Sequence, residues 1–85
     1  NLTMRRVAAT RVYLDDKSFL SNHVVELSDG QVIHHYPLSG ELPMTEWLGG
    51  TIIIRSLQAY HTPLVLSPSE LSAYDSCSDS HIQRL

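Results

Sequence analysis

A chain of 85 residues, 42% hydrophobic and 18% charged, suits one globular domain rather than a disordered segment. Nine acidic residues against six basic give a net charge of −3, which argues against a nucleic-acid binder, since phosphate contacts need concentrated lysine and arginine. No apolar run reaches the ~18 residues of a membrane span, and no secretion signal is visible. The single cysteine, Cys77, allows no internal disulfide and suits a reducing cytoplasm.

Asn1 is not a natural start, and Met4 is a candidate initiator. Asn1-Leu2-Thr3 fits the glycosylation pattern, which at a chain end is read as chance. Residues 4–14 carry Val7, Thr10, Val12 and Tyr13, and the alternation of Val12 and Leu14 with Arg11 and Tyr13 predicts a half-buried strand. Arg5, Arg6 and Arg11 on that strand predict a solvated sheet edge that resists further pairing. Asp15-Asp16-Lys17-Ser18 is a turn. Residues 19–27 form the next strand, with a bend or bulge at Ser21-Asn22-His23.

Asp29-Gly30 predicts a β-hairpin, because glycine accepts the positive φ that such turns require. Two registers fit. A two-residue loop sets Leu27 opposite Val32 and Val25 opposite His34. A three-residue loop with a glycine bulge sets Val25 opposite Ile33 and His23 opposite His35. Adjacent Val32 and Ile33 leave the choice open. Pro37 stops the strand or confines it to an edge. Residues 39–44 are a loop, Thr45-Glu46-Trp47 predicts a short helical turn, and Gly49-Gly50 turns the chain into Thr51-Ile52-Ile53-Ile54. That run is apolar on both faces and predicts a buried central strand. Residues 57–66 predict another strand, partly at an edge because of Pro63. Ser67, Pro68 and Glu70 form a capping-box signature for a helix of about two turns over residues 68–74. Residues 75–85 read as a flexible tail after a single β domain at residues 1–74.

The order of these features resembles the N-terminal segment of amidohydrolase-superfamily proteins such as cytosine deaminase and imidazolonepropionase. The matching pieces are Met4-Arg5-Arg6-Val7 with Ala9, Val12 and Tyr13; Asn22 with Val24, Val25 and Leu27; Asp29-Gly30; Val32-Ile33; and Thr45-Glu46-Trp47-Leu48-Gly49-Gly50. Together they cover roughly the first 54 residues. The resemblance implies the small β (composite) domain that such enzymes carry beside a catalytic barrel. It does not extend to the chemistry. Where the family has a Pro-Gly segment and a His-x-His metal pair, this chain has Thr51-Ile52-Ile53-Ile54-Arg55. A barrel of about 250 residues cannot fit here. No catalytic residue carries over.

Five histidines are many for this length. Adjacent His34 and His35 point to opposite faces of a strand and cannot grip one metal together. In the bulged register His23 and His35 are candidate ligands for Zn²⁺ or Ni²⁺, with Glu41, His61 or a partner chain's residue as a third. The plainer reading is histidines in packing or solvent. Cys77 lacks a neighbouring base and reads as an inert thiol, and Gly49-Gly50 lacks the helix and lysine of a phosphate loop. Trp47 either plugs the end of the fold or stands exposed as an interface anchor.

The sequence thus predicts an all-β domain, a small sandwich or partly open barrel of about five strands with a short C-terminal helix. The expected role is non-catalytic, a cytoplasmic module that homo-oligomerises or binds a protein partner, with no cofactor, no nucleic acid and no membrane. A thin stability margin favours association, because a chain of this size buries only roughly 60–65% of its unfolded surface. The alternative is a small ligand- or metal-binding protein or enzyme whose pocket is lined by His34, His35, Tyr36 and Trp47. A third reading is an accessory subunit to a separately encoded amidohydrolase-like barrel.

Overall fold

A computed structural model, describing residues 4–15, 18–72 and 82–85, shows seven strands in one mixed sheet and one short helix. The strands are β1 (Met4–Tyr13), β2 (Phe19–Ser28), β3 (Gln31–Pro37), β4 (Glu46–Trp47), β5 (Thr51–Arg55), β6 (Gln58–Thr62) and β7 (Gln83–Arg84). The helix α1 (Pro68–Ser72) precedes the last strand. Their spatial order is β3-β2-β1-β5-β6-β7, and β4 pairs with β1 alongside β5. The small all-β fold expected from the sequence is present, in seven strands rather than about five. The sheet is open but curled. Val32 N–H donates to the Leu57 carbonyl at 2.7 Å, which brings the start of β3 to the β5–β6 turn.

β1 and β2 pair antiparallel around the turn at Asp15, with Arg6 opposite Glu26, Ala8 opposite Val24 and Tyr13 opposite Phe19. Their other neighbours correct the expected edge. β1 is the middle of the sheet, flanked on its far side by β4 and β5, both parallel to it. Its arginines do not stand free in solvent. Arg5 makes a two-toothed ion pair with Glu46, at 3.0 and 3.2 Å, and Arg6 meets Glu26 at 2.9 Å. Arg11 lies over the Phe19 ring, 4.3 Å from its centroid, and donates to the Leu66 carbonyl.

The polar stretch Ser21-Asn22-His23 is a bend within one continuous strand. Asn22 takes φ +49°, and pairing on both sides of it keeps one register. Opposite this bend the inward-facing series of β1 steps from Val7 and Ala9 to Val12. The Asp29-Gly30 hairpin uses the two-residue loop, with Leu27 opposite Val32. A bulge at Ile33 then shifts the pairing, so that Glu26 faces His34 and Val25 faces His35. Beyond the bulge the pairing matches neither expected register, because the extra residue enters the strand and not the turn.

β4 replaces the helical turn expected at Thr45-Glu46-Trp47. The reason is tertiary. Leu48 N–H donates to the Ala8 carbonyl at 2.9 Å, and the parallel ladder of β1 captures the segment. Gly50 follows at φ +62°, where a Cβ would lie 2.2 Å from the Thr62 carbonyl oxygen, so only glycine fits. β5 is buried on both faces as its composition demands: Ile52 and Ile54 join the inner core and Ile53 the outer one. β6 ends before Pro63. The capping box of α1 closes in both directions, with Ser67 N–H donating to Glu70 Oε1 at 3.1 Å and Glu70 N–H to Ser67 Oγ at 3.3 Å. Residues 73–74 of the expected helix lie outside the described residues, as does Cys77.

Of the flexible tail expected over residues 75–85, residues 75–81 lie outside the described residues and residues 83–84 are paired. Gln83 and Arg84 pair with His61 and Tyr60, and Leu85 N–H donates to the Ala59 carbonyl. Ile82 is buried against the outer cluster of Tyr13, Ile53, Leu66 and Leu71. Apolar side chains, spaced to reach both cores, hold this short strand in place. Among the described residues no helix is long and apolar enough to cross a membrane.

Candidate functional site

Register alone assembles two rows of side chains across the outer face of the sheet. Tyr36, Val24, Ala8 and Trp47 are successive neighbours across β3, β2, β1 and β4. The adjoining row is His34, Glu26 and Arg6. Both rows alternate with Val7, Val25 and Leu27, which face the inner core. His34, Tyr36 and Trp47, picked out from the sequence, therefore share one face. His35 does not. The pocket expected from all four is divided by the sheet.

Glu26 is the hub of this face. Its Oε2 accepts from the Tyr36 hydroxyl at 2.7 Å and from Arg6 Nε at 2.9 Å. His34 Nδ1 lies 3.6 Å from its Oε1, an ion pair only when the imidazole is protonated. The Tyr36 hydrogen bond, then that of Arg6, holds the Glu26 carboxyl below its ordinary value. Burial and the hydrogen bond to Glu26 push the Tyr36 phenol up. A carboxylate kept ionised beside a phenol kept protonated is a fixed polar ladder. Neither of these two groups changes its protonation near neutrality. Arg6 also donates to the Pro43 carbonyl at 2.9 Å, tying the crossing loop to the same ladder. Beyond it stand large apolar groups in solvent: Trp47 is 55% exposed, Met44 90% and Met4 58%. The plug role weighed for Trp47 is not what is seen. Trp47 stands exposed.

On the inner face, His23 Nε2 and His35 Nδ1 are 2.9 Å apart, with ring centroids at 5.1 Å. The sequence allowed this pair through directly opposed positions. It forms diagonally instead, because the direct partner of His23 is Pro37 and that of His35 is Val25. His23 is only 3% exposed, and burial followed by the nearby His35 charge lowers its proton affinity. His35 is exposed and lines a cavity of about 320 Å³ with Leu14, Asp15, Val32, Ile54 and Leu57. Among the described residues no third histidine, cysteine, aspartate or glutamate groups with the pair. His61 Nε2 lies instead 3.1 Å from the Gly49 carbonyl oxygen.

Sequence reasoning missed Glu26 and Arg6. The signal was available: antiparallel pairing of the two strands on either side of the polar break sets positions 6 and 26 opposite each other, and a cross-strand pair of opposite charge follows. It also missed Leu57, which sits at φ +67° in the β5–β6 turn with no sequence sign of strain. Comparison with known proteins finds no matching family model, no matching curated protein and no matching solved structure.

Proposed function

We propose that this chain is a non-catalytic β module that associates through its Trp47 face, first with a second copy of itself and otherwise with a protein partner. One observation carries the reading. The only tryptophan stands more than half exposed, in register with Tyr36, on a face that also exposes Met4 and Met44 around Arg6 and is stiffened by the Arg6–Glu26–Tyr36 ladder. Aromatic and methionine side chains on a rigid polar surround are what protein interfaces concentrate. Glu26, Tyr36 and Arg6 on this face are locked against each other, which supports a binding role for them over catalysis. Likeness to the amidohydrolase composite domain agrees with a module that works beside other chains, and an accessory subunit of such a barrel is one form of it. Cytoplasmic placement rests on cysteine usage alone.

The test is light scattering on tag-free protein over a wide concentration range, paired with Trp47→Ala. Mass that rises with concentration in the wild type and stays monomeric in the variant is the expected result. A monomer at every concentration, with no partner lost on the same substitution, removes the proposal.

A further inference from the structure

We propose that His23 and His35 form a bidentate site for a divalent first-row transition ion of tetragonal or octahedral preference, copper(II) above nickel(II), completed by water. The site is on the inner face and separate from the Trp47 face.

The argument is geometric. Metal–imidazole bonds of about 2.0–2.1 Å set at a right angle place the two nitrogens about 2.9 Å apart. His23 Nε2 and His35 Nδ1 stand at 2.9 Å. Imidazole suits copper and nickel, and the order of affinity for such a site rises from nickel to copper and falls again at zinc.

The two rings are also differently placed, in a way that suits a chelate. His23 is held nearly out of solvent, just past the positive-φ bend at Asn22, so its orientation is set by the fold. Leu38 N–H donates to the Asn22 carbonyl at 2.9 Å and fixes the chain beyond β3 against that bend. His35 is exposed at the cavity rim, where an ion and its waters can reach it. The bulge at Ile33 brings His35 to the inner side, while His34 remains with Glu26 on the outer one. In the metal-free protein the two nitrogens share one N–H as a hydrogen bond. On binding, that proton moves to the other nitrogen of its own ring, and the rings tilt so that both facing lone pairs meet the ion.

Tag-free protein is titrated separately with Cu²⁺, Ni²⁺ and Zn²⁺, following heat and, for copper, the imidazole-nitrogen couplings in its electron paramagnetic resonance spectrum. Expected is one saturable site of order copper, nickel, zinc, with two nitrogens on the copper. His35→Gln changes an exposed side chain and should weaken binding by at least the roughly 10–100-fold that even outer-shell partners command. His23→Gln tests the buried ligand, with circular dichroism to confirm its fold. His34→Gln and His61→Gln should leave binding unchanged. No saturable site, a site that survives His35→Gln, or equal loss in His34→Gln overturns the proposal. Trp47→Ala should not affect it, so its failure is distinguishable from failure of the association reading.

Discussion

Among the described residues Leu57 takes the largest positive φ of any non-glycine. A bulky residue at φ +67° costs of order 1–3 kcal/mol, yet Leu57 is 57% exposed and gives little packing in return. Its carbonyl, which accepts the Val32 N–H, would survive replacement by glycine. Leu57→Gly should therefore raise stability by about 1 kcal/mol in urea unfolding. A loss would show that the side chain supports the cavity that it lines. The histidine pair makes a second prediction, for metal-free protein in chelator. His23 has a lowered folded-state value against an ordinary 6.5, so the unfolded chain binds its proton first. Stability falls as pH drops below about 6.5 and continues to fall until the folded-state value is passed. Glu26 and Glu46 add a separate loss at more acid pH. Tyr36 and Arg6 hold one below the ordinary 4.5 and Arg5 the other, so their contribution is full above 4.5 and disappears as pH falls through the folded values. Urea midpoints measured from neutral to acid pH should show both phases. His23→Gln should remove the first and leave the second.

The hinge between loop and sheet is Gly50. Any Cβ there collides with the backbone of Thr62 and Pro63, which is not a flexible obstacle. Gly50→Ala should cost at least about 3 kcal/mol or abolish folding, as judged by circular dichroism, whereas Gly30→Ala meets only its unfavourable φ. At this scale the sequence was most informative where one local rule decides. The capping box at Ser67 and Glu70 formed as written, Asp29-Gly30 turned the chain in two residues, and the apolar run of β5 was buried on both sides. It was least informative where distant partners decide. Thr45-Glu46-Trp47 looks helical in isolation and becomes a strand only because β1 offers a free ladder. Val32-Ile33 offers two apolar residues where one is wanted, and the bulge that places Ile33 outside depends on cross-strand fit that no local pattern encodes. The candidate site followed the same division. The alternation that separates His34 and Tyr36 from His35 was legible in the sequence, but that the first two lie on the outer face in line with Trp47 came from that bulge.

For the whole molecule, two cores share one sheet, and the C-terminal strand serves both. Leu85 packs on the inner cluster and Ile82 belongs to the outer one. Deleting residues 82–85 should cost about 2 kcal/mol, from the buried Ile82 at roughly 1.5–3 kcal/mol and a lesser share from the half-buried Leu85, less the entropy of ordering them, and should lower the thermal midpoint. A midpoint unchanged within error would mean that β7 is an ornament. The two parallel pairings of β1 bear on time as well as space. The β1–β2 and β2–β3 hairpins close short loops and can assemble as soon as their turns form, while Arg5 must find Glu46 from 41 positions away. Folding then has an order: a three-stranded meander first, its middle strand carrying an open ladder, and the β4–β5 segment docking onto that ladder afterwards. During that interval the long free flank of β1 is the part of the chain most vulnerable to pairing with the wrong strand.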